Sequence, residues 1–459
     1  MRGKDQAGIE GYGELSERAA AVLRLNDMGR WTKAAPALYP HQWSWDSAFI
    51  SIGLAHLDSK RAMSELRTLF GRQWRNGKVP HIVFNPLAPP NSYFPGPEHW
   101  TNAGVFPNAP PAPPYTSALC QPPVHALGVW RIRELAIERG DEEEIGEVNE
   151  FLNEIYPKLL AWHRYLLTDR DPEGSGLVTI YHPWESGTDN SPRWDAALDG
   201  VRVGAMAGFT RRDLSHIEDP SERPTDLEYS RFIWLVEEIK RKRCDESVLQ
   251  RQHPFRVRDV LMSAILIRAN LVLLRIAEIV GASDEEWEEI SGWIKRGRRG
   301  IEGCWSEEYG LCLDYDVISE SPMRARTVAG FSPLISGDLS EERLERLLAT
   351  MDSGYFLGNE DLARPLLPST SPSEARFHSK SYWRGPVWPV ISWLTWRSML
   401  DLGEKSRAEA MMRESLEQIA CGGFAEYFEP FTGKPLGSRD QSWTAAVVLD
   451  WWDHLQKTS

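Results

Sequence analysis

Three carboxylates fall within the twelve residues "WESGTDNSPRWD", Trp184 to Asp195: Glu185, Asp189 and Asp195, set between two tryptophans. Gly187, Asn190 and Pro192 oppose an uninterrupted helix, because glycine costs helix free energy and proline lacks an N–H and restricts the residue before it. The stretch is therefore expected to be a loop. A connecting segment has no packing reason to expose tryptophan, so a loop rich in rings and acids tends to bind something. The plain alternative is a surface turn whose tryptophans fold back onto the core.

A second acid-bearing loop lies near the other end. In "GGFAEYFEPFTGKPLG", Glu426 and Glu429 follow two glycines, and Pro430, Gly433 and Pro435 again exclude helix. Glycoside hydrolysis needs two carboxyl groups of this sort, which can be far apart in sequence: one protonated to release the leaving oxygen, the other ionised to activate water. No rival hydrolytic or nucleotide motif competes, since the chain has no HExxH, no GxSxG elbow, no P-loop and no glycine-rich dinucleotide fingerprint. Its 11 histidines are scattered without ligand spacing, so neither a metal nor a cofactor is expected.

Sugars present apolar C–H faces rimmed by hydroxyls, and a sugar site wants flat rings to stack on with carboxylates or amides to hold the rim. Four loops carry such groups: Trp43, Trp45 and Asp46; Trp184 and Asp189; Trp383, Arg384 and Trp388; Gln441 and Trp443. The 20 tryptophans outnumber both the 13 tyrosines and the 15 phenylalanines, more of the bulkiest ring than a core alone would select.

Helices must position these loops. Helical periodicity recurs in "ELSERAAAVLRLN" from Glu14, "KRAMSELRTLFGRQW" from Lys60, "RFIWLVEEIKRK" from Arg231 and "SEERLERLLATM" from Ser340, and "SDEEW" from Ser283 has capping-box spacing. Strand signals are confined to short runs such as "GLVTIYH" from Gly176 and "GLCLDYD" from Gly310, expected as hairpins. Four times a loop dense in Trp and polar groups runs into a nearly all-apolar helix: from Tyr39, Cys120, Ser381 and Leu436. Inner helices of a helical barrel have that character, and a ring of helix pairs would bring such loops to one end. The expectation is one (α/α)6 barrel domain over residues 1–459, with loop insertions at about 80–120 and 184–226. The proline-rich but aromatic segment from Pro80 to Tyr115 is expected to be an ordered loop and a candidate lid.

A net charge of −14 argues against nucleic acid, and "KRKR" from Lys240 to Arg243 reads as a solvated helix end. Five cysteines form no CxxC pair, so free thiols are expected. The most apolar stretch, from Val260, is interrupted by Arg268, Asn270, Arg275 and Glu278, and no leader-like segment opens the chain. A cytoplasmic protein with no membrane partner is expected.

Together "YPHQWSWDSAFI", "WESGTDNSPRWD", "SYWRGPVWP" and "FAEYFEPFTGKPLGSRDQSWTAA" resemble glycoside hydrolase family 63, and within it the short bacterial mannosylglycerate and glucosylglycerate hydrolases. The resemblance runs from about Leu23 to Trp452. It implies an inverting α-glycosidase with Asp189 as general acid and Glu426 as general base, Glu185 and Asp195 in support. It further implies a sugar subsite of Trp43, Asp46, His81, Trp184, Gly187 and Trp388 with Trp45 close by. The glycerate end would be held by Tyr39, Tyr93, Gln121, Arg223, Tyr229, Trp383 and Gln441. An arginine, phenols and amides suit an anionic aglycone, whose carboxylate needs charge-assisted donors to replace lost water. Related enzymes associate, which leaves room for a homo-oligomer. Against this stand a trehalase-like or oligosaccharide α-glucosidase, which would not need Arg223, and a non-catalytic sugar-binding toroid, which would not need both acids. Asp46 as a helix N-cap and Arg223 as a surface loop arginine are the plain alternatives for those residues.

Overall fold

In a computed structural model, the structure describes residues 2–37, 39–89, 92–101, 104, 106–111, 113–214, 219–337 and 339–458. Six helices form a closed ring: Ser44–Ala55, His125–Arg139, Val260–Val280, Ser332–Ser336, Pro389–Asp401 and Ser442–Thr458. Each packs on the next, and the last packs on the first. Outside them lie Arg2–Leu25, Ser59–Phe70, Glu142–Thr168, Asp284–Gly303 and Lys405–Gly422, each against one or more inner helices. Glu341–Asp352 follows the short inner helix in the chain. This is an (α/α)6 barrel.

The inner position explains the composition of these helices. All twelve residues of Ser44–Ala55 are buried, and each large apolar side chain such as Phe49, Ile50 or Ile52 contributes roughly 1.5–3 kcal/mol by leaving water. Among the described residues, Val260–Val280 alone is long and apolar enough to cross a membrane, and it forms one wall of the ring. Its polar interruptions have partners: Arg268 pairs with Asp401, and Asn270 Oδ1 lies 2.8 Å from His163 Nδ1. The outer helices start where short polar side chains can accept orphan N–H groups, at Asp58, Asp141, Ser283 and Ser340.

Strands are short. Val178–Ile180 pairs antiparallel with the distant Val257–Asp259 rather than in a local hairpin, and Val257–Asp259 also pairs with Tyr315–Asp316. A local period-2 pattern carries no information about so remote a partner. The stretch from Gly310 does form local pairs, Leu311–Cys312 with Trp305–Ser306 and Tyr315–Asp316 with Ser321–Pro322. Lys240 to Arg243 closes the helix Asp226–Arg241, but Lys240 is buried and paired with Glu237 at 3.2 Å, so the run is only partly solvated. All five cysteines are free thiols.

Candidate active site

The four decorated loops each lead into an inner helix, and residues from all four line one pocket of about 890 Å³, mouth included. Its walls bring together Asp189 and Glu426 with Tyr39, Trp43, Trp45, Asp46, His81, Tyr93, Gln121, Trp184, Gly187, Arg223, Tyr229 and Gln441. The acids come from opposite parts of the sequence. Asp189 sits in the loop 187–191 after the single helical turn Pro183–Ser186, and Glu426 immediately precedes the strand Tyr427–Phe428, which pairs with Pro435–Leu436.

Glu426 is buried and held by four donors. Tyr39 Oη donates at 2.7 Å and Tyr382 Oη at 3.4 Å to Oε1, while Arg223 Nη2 at 3.3 Å and the Ser438 N–H at 2.9 Å reach Oε2. An ionised carboxylate only accepts, so this surround of donors suits the charged form. Gly437 makes the grip possible: its φ is +67°, and a Cβ there would stand 2.6 Å from Glu426 Oε2.

Asp189 is different. Burial is the largest influence on its carboxyl and raises it, Glu426 raises it further, and Arg223 opposes; the result is a pKa of about 7. The neighbouring Asp46 is driven well above the ordinary carboxylate range by burial and then by Glu426 and Asp189. Asp46 lies in the first turn of Ser44–Ala55, whose N-cap is Trp43, so it does not cap that helix.

Aromatic rings shape the rest. Trp43 meets Tyr39, His81 and Tyr93 edge to face with centroids 5.2–5.4 Å away, and Trp184 lies parallel to His81 at 6.5 Å. Gly187, at φ +72°, lets Trp45 pass: a Cβ would lie 2.7 Å from its ring. Burial holds the His81 imidazole down at about 3, hence neutral. Among the described residues, five polar atoms on pocket-lining side chains are buried without a protein partner: Trp43 Nε1, His81 Nε2, Arg223 Nε, Gln441 Nε2 and Trp443 Nε1. These atoms are available to hydrogen-bond a polar group that enters the pocket. Among the described residues no cluster of His, Cys, Asp and Glu could hold a metal ion.

Over residues 39–444 the chain matches the family described as the mannosylglycerate hydrolase MGH1-like glycoside hydrolase domain. The chain belongs to that family. This glycoside hydrolase is 46% identical to the glucosylglycerate hydrolase of Mycolicibacterium hassiacum over 95% of its own length and 97% of that protein. It is 39% identical to the mannosylglycerate hydrolase of Thermus thermophilus, over 95% and 99% of the two chains. A crystal structure of the family 63 mannosylglycerate hydrolase from Thermus thermophilus, in complex with Tris and D-glycerate, superimposes with a TM-score of 0.86 at 38% identity, covering 95% and 99%.

In this glycoside hydrolase the remaining motif acids hold the scaffold. Glu185 is fully buried, accepts from Arg170 Nη1 and Nη2 at 2.8 and 2.7 Å, and takes the N–H groups of Tyr181 at 2.8 Å and Cys120 at 3.3 Å. Asp195 accepts two bonds from Arg384, and Glu429 turns back on Phe431 and Thr432 of its own turn. Arg193 bonds Asp259, the N-cap of Val260–Val280, at 3.1 Å and Asp314 at 2.7 Å, tying the acid loop to the ring. Asn190 Oδ1 accepts from the Trp383 N–H at 2.8 Å.

Two expected pocket residues are elsewhere. Trp383 and Trp388 are buried face to face, centroids 3.8 Å apart, and stand behind the wall formed by Trp45, Tyr382 and Trp443. They shape the pocket without lining it. Arg223 is no surface arginine: it is 6% exposed, with its guanidinium 4.4 Å above the Tyr382 ring. Tyr382, Trp443, Arg212, Asp213, Pro224 and Ser92 line the pocket unpredicted, although Trp443 stood in one of the decorated loops. Tyr382 has a left-handed backbone, φ 47°, and its ring meets the adjacent Trp383 edge to face at 6.3 Å.

Proposed function

We propose that this enzyme hydrolyses glucosylglycerate, mannosylglycerate or both to hexose and D-glycerate with inversion. Asp189 gives its proton to the glycosidic oxygen as the C1–O bond breaks. Glu426 takes a proton from the water whose oxygen attacks C1 from the opposite face. The observation that carries this assignment is the contrast within one pocket: an acid raised to about 7 by burial, facing a second acid gripped by Arg223, two phenols and a backbone N–H. Environments that differ in this way assign opposite roles to two carboxyls.

The sugar would lie against Trp43, Trp184 and His81, with Asp46 and the free His81 Nε2 as hydroxyl partners. The glycerate end would meet Tyr39, Tyr93, Gln121, Arg223, Tyr229 and Gln441, where the unpartnered Arg223 Nε and Gln441 Nε2 offer donors to a carboxylate. The names of the relatives support this substrate class. We read residues 1–459 as one catalytic barrel, with the segments near 80–120 and 184–226 as insertions around the mouth, acting on a cytoplasmic solute. The stacking of Phe94 on Phe209, 5.5 Å between centroids, supports contact between these two segments, and Tyr229 Oη, from the helix that follows, donates to the Phe94 carbonyl at 3.0 Å.

The test is hydrolysis of the two glycerate glycosides, trehalose and maltose side by side. Release of hexose from the glycerate glycosides is expected. Reaction of the neutral disaccharides alone would overturn the substrate class.

A further inference from the structure

The pocket carries two arginines, and they differ in what already occupies them. Arg223 is largely engaged: its Nη2 sits 3.3 Å from Glu426 Oε2 and 3.2 Å from Tyr39 Oη, its plane covers Tyr382, and its Nε is left for the substrate. Its charge therefore serves the proposed base before any substrate arrives. Arg212 is half-buried on the pocket wall and makes no hydrogen bond, ion pair or ring contact among the described residues.

Its neighbours explain why it stays free. The nearest acid in sequence, Asp213, is taken by Arg211, whose Nε and Nη2 reach the two carboxylate oxygens at 3.1 and 2.6 Å. Arg211 is itself fixed, with Nη1 2.9 Å from Asp226 and the guanidinium 4.6 Å above the Tyr229 ring. This lock neutralises Asp213 and leaves the next guanidinium facing the pocket unpaired. The setting makes an unpaired cation conspicuous: the chain carries a net charge of −14, and Asp46, Asp189 and Glu426 share the pocket. An anionic substrate approaching such a molecule is repelled unless a local positive charge faces it, and an exposed guanidinium at a cleft both attracts a carboxylate and can bind it in a fork.

We propose that Arg212 is a specificity-determining residue that shares the aglycone carboxylate with Arg223 Nε from the other side of the pocket wall, with Arg211 and Asp213 as the pair that keeps it available. This rests on the reading of the substrate as a glycerate glycoside. The division of labour is then explicit: Arg223 serves the base and the inner end of the aglycone, and Arg212 supplies the charge that selects an anion over a neutral glycoside at the mouth.

The experiment compares glucosylglycerate with neutral glucosylglycerol in the full-length wild type, Arg212→Ala and Arg212→Lys, across ionic strength. In Arg212→Ala, kcat/KM for glucosylglycerate should fall about tenfold or more through KM, the size expected for one lost charge-assisted contact. The ratio of the two substrates should collapse accordingly, and Arg212→Lys should restore part of it. Salt should depress the wild-type kcat/KM for the anion and affect Arg212→Ala less, because a screened charge has less to lose. Equal losses on both substrates, or an unchanged ratio and salt slope, would overturn the role of Arg212. A wild type that shows no preference for the anion would instead refute the substrate class itself, a distinct result visible before any variant is made.

Discussion

Replacing Glu185 by alanine should destabilise the protein by about 3–5 kcal/mol, the cost of leaving one member of a buried ion pair alone. Glu185 has no exposed surface and Arg170 is 1% exposed, so water cannot take over the lost contact. Burial by itself would raise the Glu185 carboxyl, but the Arg170 guanidinium, its hydrogen bonds and the Tyr181 N–H outweigh it and hold the pKa at about 2 against an ordinary 4.5. A change of that size corresponds to about 3 kcal/mol in favour of the ionised form. The folded pKa is depressed, so this stabilisation is complete above the ordinary carboxylate range and is lost as pH falls from there toward 2. Alanine also strands the N–H groups of Tyr181 and Cys120. Arg170 keeps Glu246 at 3.0 Å, so a double change, Arg170→Met with Glu185→Leu, should recover only part of the loss. Urea unfolding at pH 7 and pH 4 measures the effect. A Glu185→Ala variant within about 1 kcal/mol of wild type would refute the argument that this motif acid is a buried clamp.

Asp189→Ala and Glu426→Gln should each lower kcat by at least ~10² to 10⁴, the amide being chosen because alanine at 426 would also strand the buried Arg223; circular dichroism is recorded beside turnover, and a folded variant of either with near-normal turnover contradicts its role. As the proposed general acid, Asp189 works in its protonated form, so activity should fall as pH rises through about 7, and Asp189→Asn should remove that limb with most of the activity. Because Glu426 influences Asp189, the limbs of the pH profile belong to the pair. Arg223→Ala should raise KM for glycerate glycosides more than for glucosylglycerol and, unlike Arg212→Ala, should lower kcat on both, since it also strips a donor from Glu426; loss confined to KM would mean that the contact to Glu426 has no catalytic consequence.

Much of the architecture was legible because burial leaves a compositional mark. Four of the six inner helices announce themselves as apolar all round, each preceded by a loop of rings and polar groups, and the fifth, Val260–Val280, by its apolarity alone. The sixth, Ser332–Ser336, spans only five residues and is too short for any periodicity to register. Pairing of Val178–Ile180 with Val257–Asp259 depends on tertiary contacts that no local pattern encodes. At the site, residue type identified the rings and acids but not which side of a wall they face. Trp383 is expected at the glycerate end, whereas its neighbour Tyr382, for which no place is expected, lines the pocket from a left-handed backbone position. Arg223 stands at the glycerate end by resemblance, with a surface loop arginine as the plain alternative; its burial against Glu426, Tyr39 and Tyr382 involves distant segments that no local pattern encodes. Arg212 and Asp213 have no sequence signal apart from the adjacent Arg211, whose pairing decides which of the two arginines is free.

In the proposed mechanism Asp189 and Glu426 act from opposite faces, with a water between the second acid and the anomeric carbon. Proton NMR of an α-glucosylglycerate digest, recorded before mutarotation scrambles the product, tests it most directly. Initial release of β-glucose is the predicted result. Initial α-glucose would require a covalent glycosyl-enzyme and contradict the roles given to both carboxylates.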